Sequence, residues 1–124
     1  MSPEDLECHL IELRSKNMDA RTVMRTLILT YCRTNNEKRV MELRAEFKAA
    51  GYEETPGMKS SFMHSYTMAR KLEFAVGMYN EIKRENSYFK IDAYKIIDVA
   101  TLMLSLGMVN ESVHLLKSET QDRY

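Results

Sequence analysis

Apolar residues recur along the chain at helical spacing, in blocks separated by polar or glycine-containing breaks. Within residues 56–85, Phe62, Met63, Tyr66 and Met68 or Ala69 form one stripe, and Leu72, Ala75, Val76, Met78, Tyr79 and Ile82 form a second. This stretch predicts a helical hairpin. Moved back by 35 residues it fits itself: Phe62 falls on Leu27, Met63 on Ile28, Tyr66 on Tyr31, Ala75 on Val40, Val76 on Met41, Met78 on Leu43 and Ile82 on Phe47. A fixed period of this size marks stacked repeats, because no single unit can bury its apolar face alone.

The remaining blocks extend the pattern. Ser2-Pro3-Glu4-Asp5 combines an N-cap serine, proline at the first helical position and an acid two residues on, which predicts a helix from Pro3 to Lys16. Leu6, Leu10 and Leu13 share one of its faces, with Ile11 beside them. A second helix is expected from Ala20 to Arg33 with Val23, Met24, Leu27, Ile28 and Tyr31 as its stripe. Asn35-Asn36 breaks and recaps the chain. The next helix, Glu37 to Ala50, carries Val40, Met41, Leu43, Ala45 and Phe47 and stops at Gly51.

Thr55-Pro56 repeats the cap-then-proline arrangement, and Gly57 lowers helix propensity near that end. In the last third, Ile97 sits 35 residues after Phe62, whereas Val113 and Leu115 sit 37 after Val76 and Met78. The pattern therefore places two extra residues between those anchors and predicts a longer helix, Asp92 to Leu106, stopped by Gly107. A last helix, Asn110 to Lys117, carries Val113, Leu115 and Leu116, and Ser118 to Tyr124 is a polar, fraying tail.

Seven helices follow, and the predicted fold is all-α: an α-solenoid of antiparallel hairpins. Residues 1–20 form the second helix of a preceding hairpin, 21–55 and 56–90 are repeats, and 91–124 is a longer, divergent repeat with its tail. On this reading the chain is a fragment of a larger array.

Composition narrows the classes. The 124 residues are 44% hydrophobic and 29% charged, and runs such as Leu102 to Leu104 fall far short of the ~20 apolar residues of a spanning helix. No membrane insertion is expected. Cys8 and Cys32 make no disulfide framework, and with His9, His64 and His114 scattered they match no zinc spacing. No metal or other cofactor is implied. No phosphate-binding glycine loop, paired His-Glu or nucleophile with its base appears, so no enzyme activity is expected.

The second half of the opening hairpin, K-L-E-F-A-V-G-M-Y-N-E-I-K, resembles the pentatricopeptide repeat, whose second helix reads K-L-x-x-A-x-x-L-F-x-E-M-K. Leu27-Ile28, Cys32 and Gly51 stand where that family has Leu-Ile, Cys and Gly. The order of segments is similar to an internal portion of a leucine-rich animal member of the family. The resemblance implies a right-handed solenoid whose first helices line a concave surface and bind single-stranded RNA, about one base per repeat. It also implies a role in stabilising mitochondrial mRNA, location in the mitochondrial matrix and also the cytoplasm or nucleus, and a small RNA-recognition-motif partner protein. Acids clustered as in the nuclease domain of some family members are lacking.

Charge offers an independent indication. Formal net charge is zero, yet no acid lies between Asp19 and Glu37, where Arg21, Arg25 and Arg33 occur, or between Glu54 and Glu73, where Lys59, Arg70 and Lys71 occur. Two first helices are locally basic, which fits either a phosphate-binding groove or an ordinary solvated face. The third first helix, with Asp92, Lys95 and Asp98, is mixed.

The family's base-reading positions, the fifth and last of each repeat, correspond to Arg25 with Thr55 and Ser60 with Lys90, and Lys95 opens the third unit. Thr55 and Ser60 suit that role; Arg25, Lys90 and Lys95 do not. The base-sandwiching second positions are Thr22, Gly57 and Asp92, which depart from the family's apolar choice. Phosphate contact by Arg21, Arg25, Lys59 and Lys95 is the simpler expectation. Tyr31, Tyr66 and Tyr94 are candidate stacking platforms, but their spacing with Leu27 and Phe62 assigns Tyr31 and Tyr66 to the core. The alternative function is a protein-interaction scaffold or spacer that makes no direct RNA contact, for which exposed Met and Tyr patches would be the sign.

Overall fold

Helix signals set most of the boundaries in a computed structural model that describes residues 2–121. Seven helices occur among the described residues: α1 Pro3–Ser15, α2 Arg21–Arg33, α3 Glu37–Ala49, α4 Pro56–Met68, α5 Leu72–Glu85, α6 Ala93–Ser105 and α7 Val109–Gln121. Ser2 and Asp5 close a capping box at α1, Asn36 accepts from the Arg39 N–H at α3, and the Thr55 hydroxyl accepts from the Met58 N–H ahead of α4. None of the helices is long and apolar enough to cross a membrane.

Three antiparallel hairpins, α2–α3, α4–α5 and α6–α7, follow α1. Within each, the second helix begins 16 residues after the first, as the starts Arg21 and Glu37, Pro56 and Leu72, and Ala93 and Val109 show. The residues paired by the 35-residue offset share their degree of burial almost throughout; Leu27, Ile28, Val40, Leu43, Phe47, Phe62, Met63, Ala75 and Ile82 are all shut off from solvent.

The third hairpin corrects the sequence-based register. Helix α6 has 13 residues, no more than α2 or α4, so no longer first helix exists. The two additional residues lie between hairpins: α5 is one residue longer than α3, and the linker from Glu85 to Ala93 is one residue longer than that from Ala49 to Pro56. Val99, not Ile97, therefore takes the place of Phe62, and Val99 is buried while Ile97 is exposed. Ala45 also proves exposed, as do Val113 and Leu116 on α7. Ser118 to Gln121 continue α7 instead of fraying, and the rest of the expected tail, 122–124, lies outside the described residues.

The two rows of helices are held differently. The first helices pack directly, α2 on α4 and α4 on α6, whereas no pair among α1, α3, α5 and α7 brings backbones within 8 Å among the described residues. Long ion pairs bridge the second row: Arg39 with Glu7, Arg14 with Glu46, and Lys83 with Glu119, while Lys71 just before α5 reaches Glu37. Close packing on one side and charged bridges on the other give the row of first helices the tighter spacing.

Each hairpin turns through a residue with positive φ: Asn35 at 59°, Arg70 at 62° and Gly107 at 79°. Glycine has no side chain to clash there, asparagine tolerates the region, and arginine is the misfit. Arg70 keeps only a long hydrogen bond from its guanidinium to Ser105, at 3.4 Å on the surface. Arg70→Gly is expected to raise stability by roughly 0.5–1 kcal/mol, read as a higher urea midpoint at unchanged slope; a lower midpoint would show that the Ser105 contact outweighs the backbone strain.

Candidate nucleic-acid interface

Helices α2 and α4 contain no carboxylate, and α6 contains only Asp98. The cations of α2 thus lack the carboxylates that neutralise most cations of the second row. Arg25 is exposed with no carboxylate partner among the described residues, and Arg33 is exposed with one long bond to the Thr30 hydroxyl, 3.4 Å. Arg21 lies over the Tyr52 ring, 5.6 Å from its centroid, and its side chain is also unpaired.

Other expected site residues are engaged. Lys59 is a correction: it points into its own hairpin and bonds Glu85 at 2.5 Å and Glu81 at 3.2 Å. Burial pushes its ammonium down, but the two carboxylates more than reverse this and leave it firmly charged and occupied. Arg25, Lys59 and Lys95 therefore do not form one exposed wall. The Thr55 hydroxyl serves as the α4 cap, and Lys90 is exposed in the α5–α6 linker with no ion-pair partner among the described residues. Ser60 is buried, donating to the Gly57 carbonyl at 3.0 Å.

Lys95 and Ser60 are brought together: the ammonium donates to the Ser60 hydroxyl at 3.2 Å. With the third hairpin starting at Ala93, Lys95 is not the fifth residue of its unit but occupies the register of Val23 and Met58. A lysine in a core-facing position explains why it is only 7% exposed. Lys90 likewise gives up the last position to Asp92, and Tyr94 replaces Asp92 in the register of Thr22 and Gly57. Tyr31 and Tyr66 are not stacking platforms, since Tyr31 donates to Glu7 at 3.0 Å and Tyr66 is buried against Met41 and Phe74. Tyr94 is 55% exposed.

A cleft of about 430 Å³ opens where the three first helices meet, lined by Leu29, Cys32, Arg33, Ser61, His64, Tyr94 and Lys95. His64 stands edge-on to Tyr94, with ring centroids 5.7 Å apart, and its Nδ1 is shielded and 3.7 Å from Asp98. Burial pushes the imidazole below the usual histidine range; Asp98 opposes this and Lys95 adds to it. Burial pushes the Cys32 thiol up to about 11, against the pull of Lys95 and Arg33, so it packs as a neutral group. A larger cleft of about 650 Å³ beside Pro56 is lined by Glu53, Glu54, Glu81 and Glu85 against Lys48 and Lys59, a balance that repels phosphate.

His64 escaped sequence reasoning because a lone histidine carries no spacing signal. A lysine standing where earlier repeats have valine and methionine was the available sign for Lys95, hidden by the two-residue shift. No protein-family model matches the chain, and no curated protein matches it.

Proposed function

We propose that the chain is a non-catalytic helical-repeat segment of pentatricopeptide type that binds single-stranded RNA along α2, α4 and α6, on the concave wall of a right-handed solenoid. The observation that supports this reading is the segregation of charge. Among the described residues Arg21, Arg25 and Arg33 have no carboxylate partner and stand on a helix without carboxylates, while Arg39, Arg44 and Lys83 of the second row are bound to Glu7, Glu54 and Glu119. Flexible unpaired cations on one face suit a phosphate backbone, and exposed Tyr94 offers a ring for a base. A role in mitochondrial mRNA stabilisation, with a small RNA-recognition-motif partner, is the wider setting proposed from the repeat resemblance.

The test is fluorescence anisotropy with a labelled single-stranded RNA across a salt series. Arg25→Glu with Arg33→Glu is expected to weaken binding at least about tenfold at ~50 mM salt and to flatten the salt dependence, whereas Lys38→Glu with Lys117→Glu on the second row leaves both nearly unchanged. Absence of binding by the unaltered chain at low salt sinks the reading.

One observation favours a scaffold instead. Val113 and Leu116 are exposed, together with Leu104, Leu106 and Val109. In the earlier hairpins the positions of Val113 and Leu116 are met by the next unit: Met41 touches Tyr66, Arg44 lies over Phe62, and Tyr79 reaches Glu119. This end fits a further helical hairpin, continuing the α4–α6 interface, and no RNA binding in the titration above would leave it as the better reading.

A further inference from the structure

The cleft at the α2–α4–α6 junction contains a buried cation whose hydrogen-bonding capacity is only partly filled. The Lys95 ammonium has three donors and is more than nine-tenths buried, yet among the described residues the Ser60 hydroxyl is its one hydrogen-bond acceptor, with Asp92 3.8 Å away and the Tyr94 ring centroid at 5.8 Å. A buried ammonium left in this state is costly unless something fills the remaining directions, and those open on the cleft that Lys95 lines.

Three further features converge there. Arg33 lines the same cleft with no carboxylate partner among the described residues. His64 has its Nδ1 edge turned to Asp98, which leaves the Nε2 edge for the cleft. Helix α6 begins there with Tyr94 and Lys95 in its first turn, which adds the positive end of its dipole to the site, offset in part by the Asp92 carboxylate.

We propose that the Arg33–His64–Tyr94–Lys95 cleft holds a phosphate group of a single-stranded nucleic-acid backbone, with His64 protonated in the bound state. The proposal rests on the RNA reading above for the source of the phosphate. Groups facing His64 are Cys32 and Arg33 from α2 and Tyr94, Lys95 and Asp98 from α6, with Ser61 on its own helix. In the free protein, burial and Lys95 keep the ring neutral near pH 7. A phosphate in the cleft supplies the negative charge that reverses this, while the Asp98 carboxylate, 3.7 Å from Nδ1, favours the charged ring from the other edge. Binding then takes up a proton and tightens as pH falls.

The test follows the His64 ring by NMR between pH 5 and 8, in the protein alone, with inorganic phosphate and with a single-stranded oligouridylate. The His64 titration is expected to move up by about one unit with the oligonucleotide, which corresponds to about tenfold tighter binding to the protonated form. His64→Gln is expected to lose that tenfold gain on acidification while still binding at pH 8. Lys95→Met, chosen to keep the volume of a buried side chain, is expected to abolish the ligand-induced movement of His64, and its circular dichroism spectrum reports whether the fold is kept; Lys95→Gln is the second variant if it is not. Oligonucleotide binding with the His64 titration unmoved overturns the site and leaves the RNA reading standing. Movement with inorganic phosphate but no binding of the oligonucleotide keeps the phosphate site and overturns the RNA source. No response to either overturns both.

Discussion

Phe62→Ala is expected to cost about 3–5 kcal/mol, the range for truncating a fully buried aromatic side chain. Phe62 has no solvent exposure, and the Arg44 guanidinium lies 4.7 Å from its ring centroid. It therefore sits between hairpins rather than inside one, and its removal opens a cavity at the α2–α4–α6 row while taking away the surface on which Arg44 rests. Domains of this size have only roughly 5–15 kcal/mol in total, so most of the cooperative unfolding transition moves to low denaturant. Urea unfolding followed by circular dichroism measures it. A cost below about 1 kcal/mol would mean that the ring is not a shared core element, and the repeat register built on it would fail.

Arg44→Met is expected to cost about 3 kcal/mol, because it strands a carboxylate. Glu54 has a side chain only 4% exposed and takes both prongs of the Arg44 guanidinium, at 2.6 and 3.1 Å. Burial pushes the guanidinium down, yet the bonds to Glu54 and the neighbouring Tyr66 hold it above its ordinary range. Without Arg44, the remaining cation within reach is Lys48, 3.6 Å away with its head in solvent. Breaking one side of a buried pair costs far more than removing both partners. Arg44→Met combined with Glu54→Gln is therefore expected to recover at least about 1 kcal/mol relative to Arg44→Met alone, and simple additivity in the double-mutant cycle would refute the stranded-charge account.

Local signals carried far in this chain. The capping box at Ser2, the Asn36 and Thr55 caps and the glycine stop at Gly51 each act over three or four residues, and each falls where short-range chemistry places it. The echo between Leu27 and Phe62 or Phe47 and Ile82 was equally legible, because stacked units must bury the same faces. The third unit was not. Ile97 and Val99 are both apolar and β-branched and lie two residues apart, so periodicity alone could not decide which faced the core.

Candidate site residues were less legible, for a related reason. A charged side chain has the same local pattern whether it meets solvent, a ligand or a carboxylate far away in sequence. Lys59 is committed to Glu81 and Glu85 across the hairpin, and Lys95 reaches Ser60 in the neighbouring hairpin, while Arg25 meets no carboxylate partner among the described residues. The basic run of α2 was read correctly as a run, but which of its neighbours remained unneutralised depended on where α3, α5 and α7 place their glutamates.

The sequence by itself determined the seven helices, their hairpin pairing and most of the shared core, because caps, breakers and the 35-residue echo of apolar positions are written in the local pattern. Only the tertiary structure decided that the two extra residues lie between hairpins, that Lys95 stands in a core position beside Ser60, and that Arg33, His64, Tyr94 and Lys95 share one cleft. Those outcomes depend on contacts between helices more than thirty residues apart, where the energy of burial and charge pairing selects among registers that the local pattern leaves equivalent.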